Sequence, residues 1–301
     1  MDVMLDTNIL ERSFKMHSNA FANLFAYLRR TNSKLVLSKL VWDEARIRYA
    51  EKLKASVDAL KTASDNLGSI QFSSRHALDL PDQSTERKLF EERLQKSHEV
   101  QIYDDYSRLD ISEIVRRGAL RIRPASSNGE ELRDVILWLH VLDYAKRRRR
   151  PIAFISNDAN FIDVPEEERR KMKTKSQQKI RQSTDQEEDE EQFPLHPHLQ
   201  KDITDRGVKV DFYLNLPSFN KANALRSSEI QESWIDKHMG NKGVIWEMVR
   251  EKVSARLVGN QQYNERIQEV SITALTFDKG TLYKIDKYVQ FAEVQYKAKL
   301  A

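Results

Sequence analysis

Short strand-like apolar runs alternate with helix-like segments along this chain, and that alternation constrains the fold more than any other feature. The runs are Val3–Leu5, Lys34–Ser38, Ile152–Ser156 and Val208–Leu214. Between them, apolar residues recur every three or four positions, which is the spacing of a buried helix face. Strands that alternate with helices predict a parallel sheet covered by helices, that is, an α/β fold.

Long helices are the expected cover of this sheet. We expect helices at 20–30, from 40 to about 66, in more than one piece from 85 to about 118, and at 131–147. The chain has only 8 glycines and 7 prolines among 301 residues. Average usage is about 12% for the two together, so few turns can be built on glycine and helices should be long.

The pattern changes near residue 220, which predicts two domains. Residues 1–220 would form the α/β domain, with a helical insertion at about 50–120. A strongly charged segment at 166–191 is either a solvated helix or disordered. Residues 221–301 would form a small α+β accessory domain. Its expected elements are helices at about 228–238 and 244–257, strands at 270–277, from 281 onward and at 292–300, and a turn at 278–280.

Several kinds of function are excluded by what the chain lacks. It has no cysteine, which excludes disulfides, thiolate nucleophiles and cysteine-ligated zinc. It has no glycine-rich phosphate loop, which excludes a P-loop ATPase. The net charge is only +4, so affinity for nucleic acid would need local basic patches or a bound metal. No membrane span or signal peptide pattern is visible, so we expect no membrane partner and a cytoplasmic location.

Four acidic residues fall where the predicted sheet would gather them at one edge. Asp6 and Asp158 directly follow strand-like runs, whereas Glu44 and Asp134 lie in the first turns of helices. The carboxyl ends of parallel strands share one edge, so we expect these side chains to converge there. Converging carboxylates repel one another unless a hard cation such as Mg²⁺ or Mn²⁺ joins them. Such a site can activate a water for attack on a phosphodiester without a nucleophilic side chain.

Each of these acids also has a common structural explanation. An Asp after a strand often forms an Asx turn, and an acid in a first helical turn complements the helix dipole. Asp43 is a rival of its neighbour Glu44, and Asp163 is a rival of Asp158; we rank both rivals lower. The joint placement of four acids at one predicted edge favours the metal site.

Four segments that carry these acids resemble the signature blocks of the PIN-domain nucleases. They read Met-Leu-Asp-Thr-Asn-Ile-Leu at 4–10, a strand leading to Trp-Asp-Glu at 35–44, Arg-Asp-Val-Ile-Leu-Trp at 133–138, and Phe-Ile-Ser-Asn-Asp-Ala-Asn-Phe at 154–161. The resemblance covers residues 1 to about 220. It implies a PIN-like fold and a metal-dependent endoribonuclease, with Mg²⁺ or Mn²⁺ as cofactor, often toxin-like or RNA-processing.

The resemblance also implies roles for individual residues. The family's catalytic metal ligands fall on Asp6, Glu44, Asp134 and Asp158. Its polar helper after the first aspartate falls on Asn8, with Thr7 nearby, and Asn157 stands beside the fourth acid. Separately from the resemblance, Arg133 either contacts the scissile phosphate or forms an ion pair on the helix surface.

The long stretch between Glu44 and Asp134 and the segment 221–301 depart from a minimal PIN domain, so they leave the substrate open. We favour RNA as the nucleic-acid partner and a toxin or defence effector as the biological context. A structure-specific DNA nuclease and a catalytically silent scaffold are the alternatives. A homodimer and a protein partner for 221–301 also stay open. The basic run Lys146–Arg150 either complements a helix end or contacts phosphates.

Overall fold

The computed structural model describes eight stretches of the chain. The chain forms two compact units, Met1–Ala222 and Asn223–Ala301. The described residues are 1–70, 80–97, 99–103, 106–125, 132–164, 194–230, 272–284 and 290–300. The charged segment 166–191 and the helix predicted at 244–257 lie outside them. No helix in these stretches is long and apolar enough to cross a membrane.

Five parallel strands form the sheet of the first unit. They are β1 (Asp2–Leu5), β2 (Leu35–Ser38), β3 (Val100–Tyr103), β4 (Ile152–Ile155) and β5 (Val210–Tyr213), in the order β3-β2-β1-β4-β5. In the register, Val3 of β1 lies opposite Leu35 on one side and Ala153 on the other. The predicted α/β fold with a parallel sheet is confirmed. Because β2 and β3 extend the sheet to one side and β4 and β5 to the other, the strand order reverses between β1 and β4.

One strand of the sheet lies where helix is predicted. The stretch 85–118 contains β3 and is not helical throughout, so that expectation is wrong in its middle. Every residue of β3 is only partly buried, in keeping with a position at the sheet edge. The sequence Val-Gln-Ile-Tyr alternates for only four residues, too briefly to stand out against the helix-forming residues around it.

Helices flank the sheet. In the described residues of the first unit they are α1 (Thr7–Arg12), α2 (Asn19–Thr31), α3 (Lys39–Ile70), α4 (Gln83–Lys96), α5 (Ile111–Ala119), α6 (Leu132–Arg148), α7 (Pro197–Arg206) and α8 (Leu216–Asn223). α6 carries the largest buried face, and its Trp138 is fully buried against Phe154 of β4. Trp42 of α3 is buried as well. Both tryptophans therefore belong to the core and are not available to stack on a base.

The inner part of the helical insertion widens the core. Tyr49 of α3 stacks on Phe90 of α4 with ring centroids 4.4 Å apart, and Phe14 meets both rings edge-on. Val57 and Leu94 are also buried in these helices. α3 therefore continues the core before its outer turns enter solvent.

The second unit contains a three-stranded antiparallel sheet of β6 (Leu225–Ile230), β7 (Ile272–Lys284) and β8 (Gln290–Leu300). This corrects two expectations. The start of the helix predicted at 228–238 lies in β6, and the rest of that helix is outside the described residues. The turn predicted at 278–280 is instead a register shift within β7, where Phe277 faces Tyr296 and Lys279 faces Gln295. An extra residue in one strand bends a ladder of paired strands without ending it. The strand β7 therefore continues through 278–280, although the Asp-Lys-Gly sequence there is typical of a hairpin turn.

Candidate active site

Asp6 and Asp158 lie at the point where the strand order reverses. Asp6 follows β1 and Asp158 comes shortly after β4, and the Asp6 N–H donates to the carbonyl of Ile155 over 3.0 Å. Open α/β sheets bind ligands at this point, because the loops leaving the two strands diverge and leave a crevice. Both acids therefore stand at the edge where the sequence predicts a site.

The Asp6 carboxylate is buried and held by three donors. Its Oδ1 accepts the Thr7 N–H over 2.6 Å, which makes Asp6 the N-cap of α1. Its Oδ2 accepts from the Asn8 amide over 2.9 Å and from the Ser156 hydroxyl over 2.5 Å. The helix-capping explanation of Asp6 is therefore real, but it uses only one of the two oxygens.

The pKa of Asp6 is raised to about 7. Burial is the largest cause, since it removes water from the charged form, and the charges of Asp158 and Glu44 raise the pKa further. The hydrogen bonds from Ser156 and Thr7 oppose this rise. Asp6 therefore changes its protonation near neutral pH, and the charges of two other acids act on it.

Glu44 reaches this site from the second turn of α3. Its Oε2 accepts the Thr7 hydroxyl over 2.7 Å, and its Oε1 pairs with Arg133 of α6 over 2.9 Å. Thr7 and Arg133 therefore connect three helices through one carboxylate. The rival Asp43 pairs instead with Lys39 over 3.2 Å.

Asn160 links Asp134 of α6 to Asp158. Its side-chain N–H donates to Asp134 over 2.8 Å, and its backbone N–H donates to Asp158 over 2.7 Å. Its amide oxygen accepts from Arg123 over 3.1 Å, and the residue is only 2% exposed. The amide is thus fixed from both sides. Asp163, the rival of Asp158, is exposed.

The sequence pattern does not single out two residues of this site, Ser156 and Asn160. Ser156 donates to Asp6 and accepts the Asp158 N–H over 3.1 Å, so one hydroxyl joins two acids. The predicted helper Asn157 makes neither contact. A hydroxyl two residues before an Asp can accept that residue's backbone N–H, and this spacing is the signal that would have found Ser156.

The donor atoms at this edge suit a hard divalent cation. They are carboxylate oxygens, and Mg²⁺ and Mn²⁺ prefer oxygen ligands. Within the described residues, the buried amide oxygens of Asn8 and Asn157 have no hydrogen-bond partner, so two further oxygens near Asp6 and Asp158 in the chain are unused. No three His, Asp or Glu side chains of the described stretches lie close enough together to hold a metal as they stand. Each acid instead engages its own neighbours.

Comparison with known protein families identifies the family of this chain. A family model of the PIN domain matches residues 3–161, just over half of the chain, and spans all four predicted acids. The chain belongs to the PIN-domain family. No curated protein and no solved structure matches it. The predicted resemblance is confirmed for the family and for the sheet, and it gives this chain a nuclease-like fold.

The PIN-domain match bears on function at a coarse level. PIN domains are generally metal-dependent nucleases, and they act on nucleic acid. The match ends at residue 161, so β5, α7 and the whole second unit lie beyond it. The long α3 and the strand β3 lie inside the matched range.

Proposed function

We propose that this PIN-domain protein is a Mg²⁺- or Mn²⁺-dependent endoribonuclease. The observation that carries the proposal is the position of the buried Asp6 carboxylate at the reversal point of the sheet. Its pKa is raised first by burial and then by the charges of Asp158 and Glu44. A divalent cation would stabilise the charged form of this buried carboxylate and weaken its repulsion by Asp158 and Glu44. The proposed ligands are Asp6, Glu44, Asp134 and Asp158.

Residues around the four acids hold them in place. Ser156 and Asn8 fix the orientation of the Asp6 carboxylate, and Thr7 fixes Glu44. A cation bound here would neutralise charge on a phosphodiester and lower the pKa of an attacking water. Asn157, whose buried amide oxygen is unused among the described residues, is the proposed additional polar group beside the fourth acid.

Arg133 is the proposed contact to the scissile phosphate. Its side chain is 60% exposed while it pairs with Glu44. A cation at Glu44 would compete with Arg133 for the same carboxylate. The planar guanidinium would then be available to a phosphate, whose oxygens it matches in pairs.

RNA is the proposed polymer, on the resemblance to PIN-domain ribonucleases. The toxin or defence context, the homodimer and a protein partner for 221–301 stay predictions.

The substrate is tested with end-labelled RNA and DNA oligonucleotides of matched sequence, each incubated with Mn²⁺, Mg²⁺ or a chelator. We expect internal cleavage of the RNA with either metal and none with the chelator. Cleavage of DNA alone would favour the DNA nuclease instead. Cleavage that persists in the chelator would contradict metal dependence, and no cleavage of either polymer would favour the silent scaffold.

Asn160→Ala should lower cleavage about tenfold, the usual lower effect of removing a residue that orients a metal ligand. The change removes the donor to Asp134 and leaves Arg123 without the Asn160 oxygen. The measurement is kcat and the Mn²⁺ dependence of cleavage on a short RNA. Asn66→Ala, at an exposed position of α3, is the control. Unchanged kcat and unchanged Mn²⁺ dependence in a folded Asn160→Ala protein would exclude the positioning role.

A further inference from the structure

Basic residues border the sheet edge that lies opposite the four acids. This is the edge where the parallel strands begin: Lys34 directly precedes β2, Lys209 directly precedes β5, and Arg150 stands before β4 with only Pro151 between them. Helices that run back across the sheet end at the same edge, with basic residues in their last turns. These are Arg29 and Arg30 in α2, Lys146, Arg147 and Arg148 in α6, and Arg206 in α7.

Some of these cations have partners in the fold. Arg29 pairs with Glu99, and Arg147 pairs with Asp143. Cations at helix ends also interact favourably with the helix dipole, which is a sufficient structural explanation for both.

Three of the cations are not explained in this way. Arg149, Arg150 and Lys209 are exposed, lie past the helix ends, and form no ion pair with any carboxylate in the part of the chain that the structure describes. Solvated charges of one sign placed side by side repel one another, so their grouping lowers stability slightly. We call these three residues the basic edge.

The fold holds the basic edge in place. The Ile152 N–H donates to the carbonyl of Lys209 over 3.1 Å, which ties the start of β4 to the start of β5. At the end of α6, the guanidinium of Arg148 lies 5.5 Å from the centre of the Tyr144 ring, and the Tyr144 hydroxyl donates to Asp2 of β1. The backbone that carries the three cations is therefore anchored to three adjacent strands.

We propose that the basic edge binds the phosphate backbone of the nucleic-acid substrate away from the point of cleavage. This proposal rests on the proposed nuclease function. Each four-residue strand separates the acidic edge from the basic edge by roughly 13 Å, at about 3.3 Å per residue. A long RNA can therefore contact both edges, whereas a trinucleotide that occupies the acids does not reach the cations.

A polynucleotide fits this surface better than a membrane does. The basic edge presents charged side chains and no large apolar ones. The exposed large apolar side chains of the described residues lie on other elements, such as α3 and α5. Contacts to phosphate fix the position of a strand without reading its bases, so the basic edge should bind RNA and DNA equally.

The test is a comparison of two triple variants that remove the same charge. One replaces the basic edge (Arg149→Gln, Arg150→Gln, Lys209→Gln), and the control replaces exposed lysines of the helical insertion (Lys54→Gln, Lys61→Gln, Lys88→Gln). Binding of fluorescent RNA of about 30 and about 3 nucleotides is measured by anisotropy in chelator over a range of salt, because three phosphate contacts change the salt slope measurably. In chelator the acids repel RNA, so the signal reports the cations.

We expect the basic-edge variant to bind the long RNA about 10- to 100-fold more weakly, with a salt slope lower by about 2. The control variant and a charge-preserving variant (Arg149→Lys, Arg150→Lys, Lys209→Arg) should bind as the wild type does. Equal losses in both glutamine variants, or no loss in the first, would overturn the proposal. So would wild-type binding to anionic phosphatidylserine vesicles with no binding to long RNA.

The outcome is separable from that of the proposed nuclease function. Cleavage of the short RNA with Mn²⁺ should be the same in the basic-edge variant and the wild type. If the wild type binds long RNA through the basic edge but cuts neither polymer, the nuclease proposal fails and the binding surface stands. If the wild type cuts RNA and the variant binds long RNA unchanged, the binding surface fails alone.

Discussion

Asp6→Asn should abolish metal-dependent cleavage, with a loss of at least about 10³-fold, or about 4 kcal/mol of activation free energy. Asparagine can still cap α1 and accept the Thr7 N–H through Oδ1, although its Nδ2 cannot accept from Asn8 as the Asp6 Oδ2 does. It carries no charge, however, and the proposed site loses the carboxylate on which the fields of Asp158 and Glu44 act. Initial rates on labelled RNA at saturating Mn²⁺ measure the loss.

The same substitution should change how the stability of the metal-free protein depends on pH. The folded-state pKa of Asp6 is about 7 against an ordinary value of 3.8. The folded state therefore binds this proton more tightly than the unfolded state does. This proton binding contributes up to about 4 kcal/mol to the free energy of unfolding. The contribution is fully present below about pH 4 and is lost as the pH rises to about 7. Asparagine does not titrate, so urea unfolding in chelator should show the free energy of unfolding of Asp6→Asn, relative to that of wild type, increasing by up to about 4 kcal/mol between about pH 4 and pH 8.

The matched control is Asp2→Asn at the other end of β1. Asp2 is as buried as Asp6, with each 8% exposed, but it bonds Tyr144 and the Lys34 backbone at the opposite edge. Asp2→Asn should leave cleavage within about threefold of wild type, since neither partner belongs to the proposed site. A large loss of cleavage in Asp2→Asn, or full activity in Asp6→Asn, would contradict the assignment.

Ser156→Ala should lower cleavage at neutral pH by about 10- to 100-fold and restore most of it at higher pH. The Ser156 hydroxyl opposes the rise in the Asp6 pKa, and a buried hydrogen bond to a charged group contributes about 1.5 to 3 kcal/mol. Removing it should raise the Asp6 pKa by about one to two units. Since only ionised Asp6 can bind a cation, the pH profile at subsaturating Mn²⁺ should shift upward by the same amount.

Two variants separate this electrostatic effect from a packing effect. Ser156→Thr keeps the hydroxyl and should retain the wild-type pH profile. Ser38→Ala removes an equally buried hydroxyl at the end of the neighbouring strand β2, where it accepts the Val41 N–H. That variant should lose some stability without any shift of the profile. If Ser156→Ala lowers the rate equally at every pH, the hydroxyl does not act through the Asp6 pKa.

Three of the four strands predicted in the first unit are buried on both faces, and the fourth, β5, is only half-buried but lies in a seven-residue strand-like run. β1, β2 and β4 are entirely buried, so their residues form unbroken apolar runs with turn residues after them. β3 is half-buried, and its short alternation is concealed between helices. In β7, local turn propensity at 278–280 is overridden because a bulge lets the strand continue pairing with β8.

The site likewise contains features that a local sequence pattern predicts and features that it does not. An acid that follows a strand or begins a helix has a defined place once the strand order is known, which is why the positions of Asp6 and Asp158 were predictable. The link from Asn160 to Asp134, and the ion pair of Arg133 with Glu44, join residues far apart in the chain. Such contacts depend on the packing of α6 against the sheet, which no local pattern encodes.

The fold places proposed ligands and basic residues at different edges of the sheet. Proposed metal ligands gather where the strands end, and basic residues gather where the strands begin. A net charge of +4 averages over these two edges and conceals the difference between them. Cation binding at the acids would weaken the repulsion of phosphate at one edge while leaving the attraction at the other unchanged.

The central claim, that the acids at the reversal point of the sheet bind a divalent cation, is tested most directly by titrating the metal-free protein with Mn²⁺. Free Mn²⁺ is followed by electron paramagnetic resonance for wild type, Asp6→Asn, Asp134→Asn and the Asp2→Asn control. The account predicts that wild type and Asp2→Asn bind Mn²⁺ alike. It also predicts that both site variants bind at least about tenfold more weakly, and that the wild-type affinity falls about tenfold per pH unit below pH 7. Absence of Mn²⁺ binding by the wild type, or equal binding by all four proteins, would contradict it.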